Sequence, residues 1–166
     1  MTHDSAILIR PATKADQEAL GRLGALLVSV HHGFDAQRFM APGPGTARGY
    51  GGYLVSQIDE EDVIVLVAEE AGQVAGYTYA GIEGTDYMAL RGPAGVVYDL
   101  VVDPERRRRG VGGLLLRETL ARLIAGGAPR VVLSTAHRNE AAQRLFAAAG
   151  FRPTMIEMTW DPPAGD

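Results

Sequence analysis

Cysteine is absent from this chain. That excludes disulfides, thiolate metal ligands and a covalent acyl-cysteine intermediate. Lysine is nearly absent as well: Lys14 is the only one, and the other fifteen basic residues are arginine. The four histidines, His3, His31, His32 and His137, show no metal-ligand spacing such as HExxH, so no metal site is expected. No apolar run approaches the ~18 residues that cross a bilayer. The first ten residues lack the basic and apolar regions of a signal peptide, so a cytoplasmic protein with no membrane partner is expected. An excess of positive charge is also missing. The net charge is −4, which argues against nucleic acid as a partner.

What is present is a length of 166 residues at 46% hydrophobic, enough for one packed domain over 1–166. Ile7 to Arg10 reads as a short strand stopped by Pro11. Thr13 or Asp16 can cap a helix running to about Val30, with Ala19, Leu20, Leu23, Leu26 and Leu27 on one face. His31 to Gly45 reads as loop. A helix over about Thr46 to Ile58 follows, weakened by Gly49, Gly51 and Gly52. Val63 to Glu69 and Val74 to Ile82 read as a hairpin around Ala71-Gly72-Gln73, and Val96 to Val102 as a further strand. A helix over Val111 to Ala125, a strand over Arg130 to Thr135, a helix over Asn139 to Ala149 with Gly150 as its stop, and an extended segment within Phe151 to Trp160 complete the chain. The order is β-α-α-β-β-β-α-β-α-β. It predicts an α/β (α+β) fold with a mixed, mostly antiparallel sheet flanked by helices, in which a βαβ unit supplies a parallel pair.

The stretch from Arg106 to Gly113 carries the chemical signal. A helix start exposes four unpaired amides, usually satisfied by Ser, Thr, Asp or Asn. Here arginines and glycines precede the helix, and the glycines cost up to ~1 kcal/mol each in helix propensity. An external phosphate can satisfy those amides and the helix dipole together. A plain turn beside a solvated arginine run is the other reading. A P-loop is excluded by the missing GK[ST], and a dinucleotide fold by Leu115 and the polar turn after the strand.

The six residues Arg107-Arg-Arg-Gly110-Val-Gly112, followed by Asn139-Glu-Ala-Ala142, Phe146 and Gly150-Phe151, resemble the GNAT superfamily of N-acetyltransferases. The likeness is strongest from about Val96 to Phe151. It implies acetyl-coenzyme A as cosubstrate and no metal. It further implies that Arg107, Arg108, Arg109, Gly110, Val111, Gly112 and Gly113 surround the pyrophosphate, chiefly through backbone amides. Leu100, Val101 and Val102 would bond the pantetheine arm as another strand would. Asn139 and Ala142 would face that arm, with helix capping as the rival role for Asn139. Phe146 would lie near the thiol, with core packing as its rival. The acceptor side would draw on His31, His32, Phe34, Asp35, Arg38, Phe39, Asp86 and Tyr87, with a helix C-terminal pair complementing the dipole as the favoured rival role for His31 and His32. Family members often form homodimers. A non-catalytic acyl-CoA-binding module of the same fold is the alternative function.

Without cysteine the simplest reaction is direct attack of a neutral amine on the thioester in a ternary complex, with a small-molecule or protein amine as acceptor. Deprotonating a lysine-like amine at pH 7 costs about 4–5 kcal/mol, whereas expelling the thiolate costs about 2 kcal/mol. A base therefore matters more than an acid. Asp99, in the apolar strand Tyr98-Asp-Leu-Val-Val, is the base candidate. An exposed, ion-paired or water-orienting aspartate is the alternative. Phe146 stands where many relatives have the tyrosine proposed as general acid, so either the thiolate leaves unaided or through water, or Tyr98, Tyr77 or Tyr79 substitutes.

Overall fold

The computed structural model describes residues 6–165. Five strands, β1 (Leu8–Pro11), β2 (Val63–Glu70), β3 (Gln73–Glu83), β4 (Ala94–Val102) and β5 (Val131–Leu133), form one sheet in that spatial order. The first three pairings are antiparallel and β4 pairs parallel with β5. Helices α1 (Gln17–Phe34), α2 (Thr46–Gln57), α3 (Val111–Ala125) and α4 (Glu140–Ala148) flank it. The mixed, mostly antiparallel sheet is the one expected.

Strand alternation divides the core. Val65, Val67, Tyr77 and Val101 point toward α1 and α2, where they meet Leu20, Leu23 and Leu54. Leu66, Ala68 and Ala75 point the other way, toward Val111 and Leu115 of α3. Burying such a side chain fully contributes about 1.5–3 kcal/mol. Glycines bring α1 and α2 unusually close: a Cβ on Gly21 would lie 2.3 Å from the Ala47 carbonyl oxygen, and one on Gly51 would lie 2.5 Å from that of Gln17. The glycines that weaken α2 as an isolated helix are thus partly its packing surface.

Two expectations need correction. The first helix runs on through His31 and His32 to Phe34 and stops only where Asp35 adopts extended geometry. The final strand expected within Phe151 to Trp160 does not form among the described residues, so the observed order ends at α4. The segment has strand-like composition, but no neighbouring strand pairs with its backbone. The His3 reading lies outside the described residues.

Candidate active site

One irregularity in β4 creates the site. Tyr79 pairs with Asp99 and Ala80 with Val97, which leaves Tyr98 as an extra, bulged residue. The bulge reverses the alternation. Val97 packs on the α3 side with Ala80 and Leu123, whereas Asp99 turns to the α1/α2 side with Tyr77. Beyond Val97 the partner strand is lost as well, because β5 pairs only with Gly95 to Val97 and ends at Leu133. The two parallel strands therefore part beside the bulge. Asp103 N–H donates to the Ala75 carbonyl at 2.8 Å. Antiparallel bonding repeats every two residues. Asp99 and Val101 therefore bond β3, while Leu100 and Val102 turn their backbone groups toward the opening. The Val102 carbonyl there accepts from Arg107 Nε at 3.4 Å.

Asp99 is the centre of the opening. Tyr50 of α2 donates to its Oδ2 at 2.8 Å, and Tyr77 of β3 donates to the same oxygen at 2.9 Å. No described residue bonds Oδ1, and no buried side-chain oxygen lacks a partner among the described residues, so Oδ1 keeps access to solvent. Burial pushes the Asp99 carboxyl above the usual carboxylate range, and the two tyrosine hydrogen bonds pull it partly back. Tyr50 reaches this position because its ring lies against Gly24, where a Cβ would fall 2.2 Å from a ring carbon.

A cavity of about 290 Å³ joins the two halves of the site. Its walls include Asp99, Tyr98, Leu100, Asn139, Ala142 and Phe146, together with His31 and Phe39, two of the residues expected on the acceptor side. His31 Nδ1 bonds the Leu27 carbonyl at 2.8 Å, and a carbonyl only accepts. The neutral ring therefore carries its proton on Nδ1 and leaves the Nε2 lone pair free. Asn139 caps α4 through Oδ1, which accepts from Ala142 N–H at 3.1 Å, and it still lines the cavity. Phe146 is buried, edge-on to Phe151, and also reaches the cavity wall.

Other sequence candidates are placed elsewhere. His32 Nδ1 bonds the Phe39 carbonyl, and the Phe34 carbonyl accepts from Arg138. Asp35 Oδ1 accepts from the amides of Gln37 and Arg38, closing a turn. Arg38 is ion-paired with Glu157 and stacks on Phe39. Asp86 accepts from the amides of Met88 and Ala89 in the β3–β4 connection, and Tyr87 beside it is 79% exposed, away from the cavity lining. Tyr98 lines the cavity, but its hydroxyl donates to Glu83 at 2.6 Å.

The start of α3 lacks a side-chain cap. Arg108 (φ +64°) and Gly110 (φ +78°) are left-handed and turn the chain sharply onto the helix. No described residue accepts from the amides of Arg108 through Gly113. A Cβ at Gly110 or Gly113 would meet open space. Arg106 and Arg109 are ion-paired to the buried Glu70, which anchors the turn to the β2–β3 hairpin. Arg107 and Arg108 make no ion pair among the described residues. Free amides with unobstructed space before them fit a diphosphate. Among the described residues no cluster of three metal-binding side chains occurs, and no helix is long and apolar enough to cross a membrane.

Comparison with known proteins bears on the same features. Mycothiol acetyltransferase from Thermobispora bispora is 36% identical over 99 residues, covering 57% of this chain and 32% of that protein. The uncharacterized N-acetyltransferase YhfO from Bacillus subtilis is 27% identical over 106 residues, covering 63% of this chain and 68% of that one. This chain spans about a third of the length of the mycothiol acetyltransferases it matches. Among solved structures, a mutant of the BH1408 protein from Bacillus halodurans superposes with a TM-score of 0.80 at 22% identity, covering 94% of this chain and 99% of that one. The aminoglycoside N-acetyltransferase AAC(6')-Iy in complex with CoA gives 0.71 at 17% identity, covering 99% of each chain. The model of the acetyltransferase (GNAT) family matches residues 35–151, from the loop after α1 to the aromatic beyond α4, and the chain belongs to that family.

Proposed function

We propose that this protein is an acetyl-CoA-dependent N-acetyltransferase that transfers acetyl directly to a small-molecule amine. The observation that carries the reading is the junction of two features at one opening: uncapped amides at the start of α3, and the solvent-reaching Oδ1 of Asp99 where β4 and β5 part.

In this reading the amides of Arg108 to Gly113 hold the pyrophosphate, and the backbone groups of Leu100 and Val102 bond the pantetheine arm, while those of Val101 stay in the sheet. An amine in the cavity attacks the thioester carbonyl. The C–N bond forms, the backbone amide of Val102, which faces the opening, stabilises the oxyanion, and the C–S bond breaks as the thiolate leaves. The proton lost by nitrogen passes to Asp99 Oδ1, directly or through one water. Burial raises Tyr50, Tyr77, Tyr79 and Tyr98 above the usual phenol range, so each is a weak acid. The thiolate therefore leaves without a tyrosine donor, a loss of at most about 2 kcal/mol.

Asp35 and Arg38, which disagree in charge, are both engaged away from the cavity, and the Asp99 carboxylate that remains there supports an amine acceptor by offering a place for its proton. The small cavity, near the lower end of the ~300–1,000 Å³ of small-molecule sites, supports a small acceptor. So do relatives named for mycothiol and aminoglycosides.

The test is thiol release from acetyl-CoA across arylalkylamines, amino sugars and a lysine peptide. Turnover is expected on at least one small amine. Asp99→Asn should lower kcat roughly tenfold or more while CoA affinity stays within about twofold. Tight CoA binding with no turnover on any amine would instead establish the non-catalytic acyl-CoA-binding module.

A further inference from the structure

The bulge in β4 does more than aim Asp99. Along a regular strand neighbouring side chains point to opposite faces. Tyr98 and Asp99 are neighbours, yet both stand on the α1/α2 face of the sheet. Asp99 meets Tyr50 and Tyr77 there. The Tyr98 ring lies over Gly81 of β3 on that same face: a Cβ at Gly81 would fall 3.2 Å from both Cε2 and the hydroxyl oxygen of Tyr98. A side chain at position 81 would crowd the ring. The carboxyl and the ring therefore flank one opening, and both line its cavity.

Tyr98 is the near end of an aromatic shelf. Its ring packs on that of Tyr79 at 4.7 Å, tilted by 38°, and Tyr79 meets Tyr53 of α2 edge-on at 5.9 Å. The hydroxyls are tied down. Tyr98 donates to Glu83 Oε1, Tyr53 and Tyr79 share a hydrogen bond at 2.9 Å, and Tyr79 donates to Gln57 Oε1 at 3.3 Å. The second oxygen of Glu83 accepts from Arg91. The rings are thus held in place, while Tyr98 stays 40% exposed and Tyr53 51% exposed. What the shelf offers is ring surface, with its polar ends already paired. A second ammonium on the acceptor would need a carboxylate not already held by an arginine. A sugar would need several free donors and acceptors for its hydroxyls. A flat apolar ring needs neither, and stacks or packs edge-on against tyrosine.

Resting on the acetyltransferase reading above, we propose that the acceptor is an arylalkylamine, with its amino group at Asp99 and its aromatic ring on Tyr98. Consecutive Cα atoms lie about 3.8 Å apart, so a linker of about two carbons joins the two contacts. The reaction is unchanged: the acetyl carbon exchanges sulfur for nitrogen, and the proton lost by the amine goes to Asp99. Tyr98 adds orientation, because a ring seated on the shelf fixes the direction from which the nitrogen approaches the thioester. It is a specificity residue and takes no proton.

The test is thiol release from acetyl-CoA with 2-phenylethylamine, 2-cyclohexylethylamine, propylamine and glucosamine at one pH. The phenyl amine should exceed the cyclohexyl amine in kcat/KM by about threefold or more, chiefly through KM, since the two bury similar area and only one has a π-face. It should exceed propylamine and glucosamine by about tenfold or more. Tyr98→Leu should bring the phenyl-to-cyclohexyl ratio close to one, and Tyr98→Phe should keep it. Equal kcat/KM for the phenyl and cyclohexyl amines in the unmodified chain would overturn the proposal. So would a ratio that survives in Tyr98→Leu, or glucosamine as the best of the four. Turnover without preference for the aromatic ring thus removes the shelf and leaves the acetyltransferase. Silence on every amine removes the acetyltransferase reading itself, and the shelf with it.

Discussion

At the scale of single residues, Asp99 shows how a buried carboxyl is tuned by its surroundings. Burial raises its carboxyl, and the hydroxyls of Tyr50 and Tyr77 stabilise the charged form and limit the rise. In the proposed reaction the reactive form is the carboxylate, so activity should increase with pH through a value above the usual carboxylate range. Tyr50→Phe removes one of the stabilising donors. The acid limb of kcat/KM should therefore move to higher pH, kcat at neutral pH should fall about three- to tenfold, and CoA affinity should stay unchanged. A pH–rate profile checks this. An unshifted limb with the same loss of rate would mean that Tyr50 serves only packing. Asp99 is legible in the sequence as an acid inside an apolar strand. Tyr50 is not: it lies 49 positions away, and nothing in its own neighbourhood announces that it reaches β4. The bulge at Tyr98 is equally hidden, since a run of alternating residues does not reveal where the alternation reverses.

At the scale of elements, α3 and α4 are legible because their ends carry local chemistry. Gly150 is left-handed, as a residue just past a helix end commonly is, Gly110 is left-handed in the turn that leads into α3, and α3 begins at Val111 as expected. The end of α1 is misleading in sequence, because the apolar periodicity fades after Val30, whereas Asp35 is the residue that leaves helical geometry. The last strand is suggested by composition and does not form, because pairing, unlike propensity, belongs to two segments and is not written in one. The missing cap of α3 sets stability against function at one position. A side chain at Gly113 meets open space, and an aspartate in the first turn interacts favourably with the helix dipole, by about 0.3–1 kcal/mol. Replacing a helical glycine adds a similar amount. Gly113→Asp should thus raise Tm or leave it unchanged while weakening CoA binding by tenfold or more, because the new carboxylate competes for the same amides and repels the diphosphate. Calorimetric titration with CoA beside a thermal melt separates the two effects. Retained affinity would remove these amides from the cofactor site.

At the scale of the whole molecule, ion pairs tie distant parts of the chain to the sheet and fix how stability depends on pH. Arg10 clamps both oxygens of the buried Asp16 at 2.8 and 2.9 Å, and Thr13 N–H adds a third bond at 2.8 Å, joining β1 to the entry of α1. Glu70 joins the β2–β3 hairpin to the turn before α3 through Arg106 and Arg109. The Arg10 hydrogen bonds hold Asp16 below the usual carboxylate range, and those of Arg106 and then Arg109 do the same for Glu70. A carboxyl depressed in the folded state stabilises above its unfolded pKa, near 3.9 for Asp and 4.3 for Glu, and loses that contribution as pH falls toward the folded value. Asp99 has the opposite sign. Its raised pKa means that the cost of ionising it appears as pH rises above about 4. The melting temperature should therefore hold nearly level from neutrality to about pH 5 and drop steeply below about pH 4. Asp16→Asn removes the clamp's charge and leaves Arg10 only Glu69, at a cost of about 1–3 kcal/mol at pH 7. The same variant should show a shallower acid limb, because one fewer proton is taken up on unfolding, so its stability should approach that of the unmodified chain near pH 3. Urea titrations at pH 7, 5 and 3 measure this directly. A constant gap between the two chains at all three values would show that Asp16 contributes through packing rather than through charge.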